Sequence, residues 1–98
     1  MGYQVIDKRN EAVGSVCQTE AEARAVIEEM VAEGTENETN WLMELAHATQ
    51  AGGKANMEDE PYIRRILAAP EYNRRRTAFE CAKERIYAAY QIVTTASA

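Results

Sequence analysis

His47 is the only histidine among the 98 residues, and histidine is the side chain best suited to moving a proton near neutral pH. As a general base it would need a nucleophile to deprotonate or a carboxylate to orient its ring. Glu44, three residues earlier, could reach that ring if the segment is helical. Such a pair arises readily by chance on a helix surface, so His47 reads as an ordinary surface histidine. Cys17 and Cys81 are far apart, with no CxxC pattern and no histidine beside either. A reactive thiol needs a cationic neighbour or a helix N-terminus to lower its pKa. Cys17 lies two residues before a candidate N-cap, which is the one such hint. Core packing accounts for both residues more simply, because free cysteines are among the most buried types. With no secretion signal in view, reduced thiols are expected.

Metal binding would require spaced His, Cys or carboxylate ligands. Glu58-Asp59-Glu60 is contiguous, lacks the glycine spacing of a calcium loop, and stands before Pro61, where it reads as a helix start. Gly52-Gly53-Lys54 lacks the full phosphate-loop pattern. No cofactor is expected.

Charge is the stronger signal. From residue 1 to 60 there are thirteen Asp/Glu against four Lys/Arg, a balance of −9, and from 61 to 98 three Glu against seven Lys/Arg, a balance of +4. The sharpest basic feature is Arg74-Arg75-Arg76, with Arg64, Arg65, Lys83 and Arg85 in the same half. Three consecutive arginines on a helix span about 200°, so they cannot all face one ligand. They could contact phosphates or an acidic partner, or form a solvated face paired with the abundant glutamates. The acidic half offers Glu28, Glu29, Glu33 and Glu36 as a face for a basic partner. The plainer reading is that exposed helix faces favour glutamate for propensity and solubility. Trp41, the sole tryptophan, is the best anchor for an interface and equally suits a core.

The elements that would hold these residues follow from patterning. YQVID and AVGSVC, separated by a polar stretch containing Asn10, read as a β-hairpin over 3–17, with Gly14 marking a bulge or close approach. Thr19-Glu20-Ala21-Glu22 is a capping box. It opens a helix over about 20–33, with Ala23, Val26, Ile27, Met30 and Val31 inward and Gly34 as its stop. A second helix over about 38–51 carries Trp41, Leu42, Leu45 and Ala46, and ends at Gly52-Gly53. A short helix over about 61–69 turns Tyr62, Ile63, Ile66 and Leu67 inward. The last helix, over about 71–94, is the longest, with Tyr72, Phe79, Ala82, Ile86, Ala89, Tyr90 and Val93 on one face. Residues 95–98 are expected to fray. The predicted fold class is thus α+β, mainly α: a hairpin and four helices in one domain over 1–98, packed on the last helix.

No apolar run is long enough to cross a membrane, and a cytoplasmic protein is expected. One histidine, no glycine-rich loop and no metal set argue against an enzyme. In small size, acidity and lack of catalytic motifs the chain resembles phage-encoded inhibitors of host defence systems, anti-CRISPR proteins among them. That resemblance implies a non-catalytic protein-binding module whose acidic helices dock on a basic, nucleic-acid-handling protein. Two alternatives stand beside it. One is nucleic-acid binding through Arg64, Arg65 and Arg74 to Arg76, disfavoured by the net charge of −5. The other is a homodimer through the last helix, whose Ala78, Cys81, Ala82, Ala88, Ala89 and Ile92 form a second, small-residue stripe.

Overall fold

The computed structural model describes residues 2–95. Among them the chain forms strands β1 (Gly2–Ile6) and β2 (Ala12–Cys17) and helices α1 (Glu20–Gln50) and α2 (Glu60–Ala68). A 3-10 turn (Glu71–Asn73), helix α3 (Arg74–Ala88) and strand β3 (Gln91–Thr95) follow. Contacts divide the chain into two compact units, Met1–Glu33 with Arg85–Ala98, and Gly34–Glu84.

In the first unit β1 is the central strand of an antiparallel sheet ordered β2-β1-β3. The hairpin turn is built by Asp7, whose carboxylate accepts from the amides of Arg9 at 2.8 Å and Glu11 at 3.0 Å. Asn10 supplies the positive φ of 62° that the reversal needs. The expected bulge is present: pairing moves from Tyr3↔Cys17 to Val5↔Val13, so β2 carries extra residues there, and Gly14 sits at φ 72°. Gln4 fills the gap. Its side-chain Nε2 donates to the carbonyls of Val13 and Gly14, both at 3.2 Å, so the donor of a buried amide is satisfied. Val5, Ala23, Ile27 and Val31 form the core of this unit, with Val13, Ile86 and Ile92 packed alongside.

The expected rod over 71–94 does not exist. After Pro70 the chain makes a 3-10 turn, α3 stops at Ala88, and residues 91–95 form β3. Ile92, Val93, Thr94 and Thr95 are β-branched, which disfavours helix and favours strand, and β1 offered an edge for them to pair with. Of the face expected to be buried, Tyr72 is 92% exposed and Phe79 43% exposed, whereas Ala82 is buried and Ile86 and Tyr90 pack against the core of the first unit. Of the segment expected to fray, Thr95 belongs to β3, and 96–98 lie outside the described residues.

The two helices expected over 20–33 and 38–51 are one helix of 31 residues. The described residues therefore hold three α-helices, not four, and the longest is the first. Gly34 does not end α1, because the buried stripe runs straight through it: Ala23, Ile27, Val31, Thr35, Thr39, Leu42 and Ala46 are all buried. Thr39 is tolerated inside because its hydroxyl donates to the Thr35 carbonyl at 2.7 Å. A glycine in a helix interior costs about 1 kcal/mol relative to alanine. Burying one large apolar side chain stabilises by about 1.5–3 kcal/mol, so continuity wins. Thr19 caps α1 as expected, the Glu22 amide donating to Thr19 Oγ1 at 3.1 Å, and the Glu22 carboxylate accepts from the Gln18 amide at 3.0 Å, one residue before the cap.

The core of the second unit is Leu42 and Ala46 of α1, Ile63 and Ile66 of α2, and Ala78, Cys81 and Ala82 of α3. Pro61 lies at the start of α2, as expected, although Asp59 makes no side-chain cap hydrogen bond. The small residues Ala78, Cys81 and Ala82, read as a dimer seam, are the side that α3 turns into this core.

Candidate functional site

The acidic residues are placed by α1. That helix carries eight glutamates and a single arginine, Arg24, which is itself paired with Glu20 at 2.9 Å. In the first unit Glu28, Glu29 and Glu33 are all exposed. Glu28 accepts a hydrogen bond from the Tyr87 hydroxyl at 2.6 Å, and that bond to the carboxylate raises the tyrosine pKa. Tyr87 as its partner had no local signal, being 59 residues away. Glu29 and Glu33 are one helical turn apart, and their side chains enter no hydrogen bond or ion pair among the described residues. In the second unit Glu36 is exposed, and Trp41, 38% exposed, is neither a buried core residue nor a fully displayed anchor.

The arginine triplet is dispersed, within the second unit, by the helical spacing. Arg74 is half-buried and folds back on the end of α2, donating to the carbonyls of Ala69 at 3.4 Å and Leu67 at 3.5 Å. A cation there offsets the partial negative charge of that helix terminus. Arg75 donates to Asn40 Oδ1 at 3.0 Å, and Arg76 is exposed. Arg64 pairs with Glu60, and Arg65 with Glu84. The Glu84 contact raises the Arg65 pKa further above its ordinary value. Arg64, Arg65, Arg74 and Arg75 are thus engaged by neighbours inside the second unit.

His47 is exposed at the rim of a cavity of about 410 Å³ whose polar lining is Gln50, Glu71 and Arg74. Among the described residues no serine, threonine or cysteine lines that cavity. Among the described residues no group of three His, Cys, Asp or Glu could hold a metal ion, and no helix is long and apolar enough to cross a membrane.

Both cysteines are free. Cys81 is buried with its thiol 3.9 Å from the Tyr62 carbonyl, and burial pushes its pKa up. A raised pKa keeps the reactive thiolate scarce. Cys17 is half-buried at the end of β2. Native protein is therefore expected to take up one equivalent of iodoacetamide quickly, at Cys17. Cys81 should react only after unfolding, and mass spectrometry of the digested protein reads the difference. Rapid native labelling of Cys81 would show that this core opens easily.

No family model matches the chain, and neither the curated proteins nor the solved structures include one similar to it.

Proposed function

We propose that the protein is a non-catalytic binding module, working in the cytoplasm, that offers the acidic side of α1 to a basic surface of a nucleic-acid-handling protein. It would act as an inhibitor of the phage or mobile-element type. The observation that carries this reading is the charge on one element: eight glutamates against one already paired arginine, with Glu29 and Glu33 exposed and unpaired. Carboxylates left without cations on a folded surface attract a complementary positive patch and steer its approach. Consecutive unpaired positions one turn apart are about 6 Å apart along the helix. That is wider than the 3.4 Å axial spacing of phosphates along one DNA strand, so such a row is a sparser line of charge than the nucleic acid it would displace. Affinity would then need support from apolar contacts beside the row.

The test is capture of a host protein on the immobilised chain, with salt and duplex DNA as competitors. Bound protein should be released by both, and Glu29→Lys with Glu33→Lys should weaken capture about tenfold or more, with the circular dichroism spectrum unchanged. Capture that the double variant leaves undiminished would exclude the acidic side of α1 as the docking surface.

A further inference from the structure

Among the described residues the sheet of the first unit has two edge strands, β2 and β3, and only one is blunted. β2 is bulged at Gly14, which bends the strand away from any straight partner. β3 pairs with β1 without a break, from Gly2↔Thr95 to Ile6↔Gln91. It holds no proline and no charged residue, the devices that usually blunt an edge. Indeed none of the three strands carries a charge, in a chain that is 28% charged.

The direction of the free backbone groups follows from the ladder. The Asp7 amide donates to the Glu11 carbonyl at 3.0 Å, so Asp7 faces β2. Backbone groups alternate along an antiparallel strand, so Val5 also faces β2, while Ile6, Gln4 and Gly2 face β3. Their partners Gln91, Val93 and Thr95 point back to β1. The amides and carbonyls of Ile92 and Thr94 are therefore the ones directed away from the sheet.

The geometry points to strand addition at β3, with β3 of a second copy of this chain as the occupant. Laid antiparallel about a two-fold axis through Val93, Ile92 of one copy opposes Thr94 of the other, twice, and each pair exchanges two backbone hydrogen bonds. Val93 meets Val93 across the axis, and β-branched side chains suit such cross-strand pairs. No charge repels its own image there, and no charge on β3 would select a foreign basic strand. The bulge on β2 blocks the head-to-tail alternative, so the assembly closes as a dimer and does not grow into a filament.

Sedimentation equilibrium from about 10 μM to about 1 mM, where a small interface would associate, should show the mass rising from 11.0 kDa towards twice that value. Thr94→Pro removes one outward amide and leaves the β1 ladder intact. It should stay at 11.0 kDa with an unchanged circular dichroism spectrum. If that variant fails to fold, hydrogen exchange of the unmodified protein decides: protection of the Ile92 and Thr94 amides should rise with concentration, while that of Val93 stays constant. A mass fixed at 11.0 kDa throughout overturns the proposal. So does a dimer that survives in folded Thr94→Pro, or protection of those two amides that does not depend on concentration, as a covering segment of the same chain would give.

Discussion

Gly34→Pro is expected to destabilise the protein by about 3 kcal/mol or more. Gly34 lies inside α1, with helix continuing to Gln50. A proline there removes the amide that bonds four residues back and drives its ring into that turn. Small proteins are stable by only about 5–15 kcal/mol, so the loss should be plain in a urea titration and in helical ellipticity. Were Gly34 the residue after a helix end, held at positive φ, proline would cost only that cap and leave the helices on either side of it intact. A Gly34→Pro protein with native helical ellipticity would restore the two-helix reading.

Leu42→Ala should cost about 2–5 kcal/mol, while Phe79→Ala should cost well under half of that. Leu42 is completely buried, against Ile63, Ile66 and the small side chains of α3. Its truncation leaves a cavity that rigid neighbours fill only in part. Phe79 is the larger residue, but it is substantially exposed and lies beneath the Lys83 ammonium, 5.7 Å from the ring centroid. Its loss removes one exposed cation–π contact, worth about 0.5–1 kcal/mol, and the partial burial of a ring that is 43% exposed. Thermal or urea unfolding of the two variants decides the order, and equal costs would mean that α3 turns its other side inward.

Much of the first unit was legible in the residues. The hairpin has local signals that need no tertiary help: alternation, an asparagine for positive φ, and a glycine where the bulge falls. The capping box at Thr19 is equally local: the Thr19 hydroxyl caps the Glu22 amide as the pattern requires, while the Glu22 carboxylate reaches the Gln18 amide. The start of α2 at Pro61 and the end of α1 before Gly52, at φ 106°, belong to the same class. Gly34 misled because the signal for a helix stop is a weak energy, overruled by burial of residues on either side. The run from Ile86 to Val93 misled because its apolar spacing fits a helix, while its β-branched end fits a strand better once β1 is present to pair with it. Of the candidate site, the exposure of Glu28, Glu29, Glu33 and Glu36 was legible, whereas the separation of Arg74, Arg75 and Arg76 depended on which neighbour each could reach.

The chain's own order of residues settles where turns and caps fall, which segments carry apolar stripes, and that negative charge gathers in one long run of glutamates. Tertiary structure alone decides that α1 continues through Gly34, that residues 91–95 pair with β1, and that α3 hides alanines and a cysteine while showing a phenylalanine. The first set arises from interactions within a few residues, each complete in itself. The second depends on partners far along the chain, whose burial and pairing energies exceed the about 1 kcal/mol or less by which one residue prefers helix or strand.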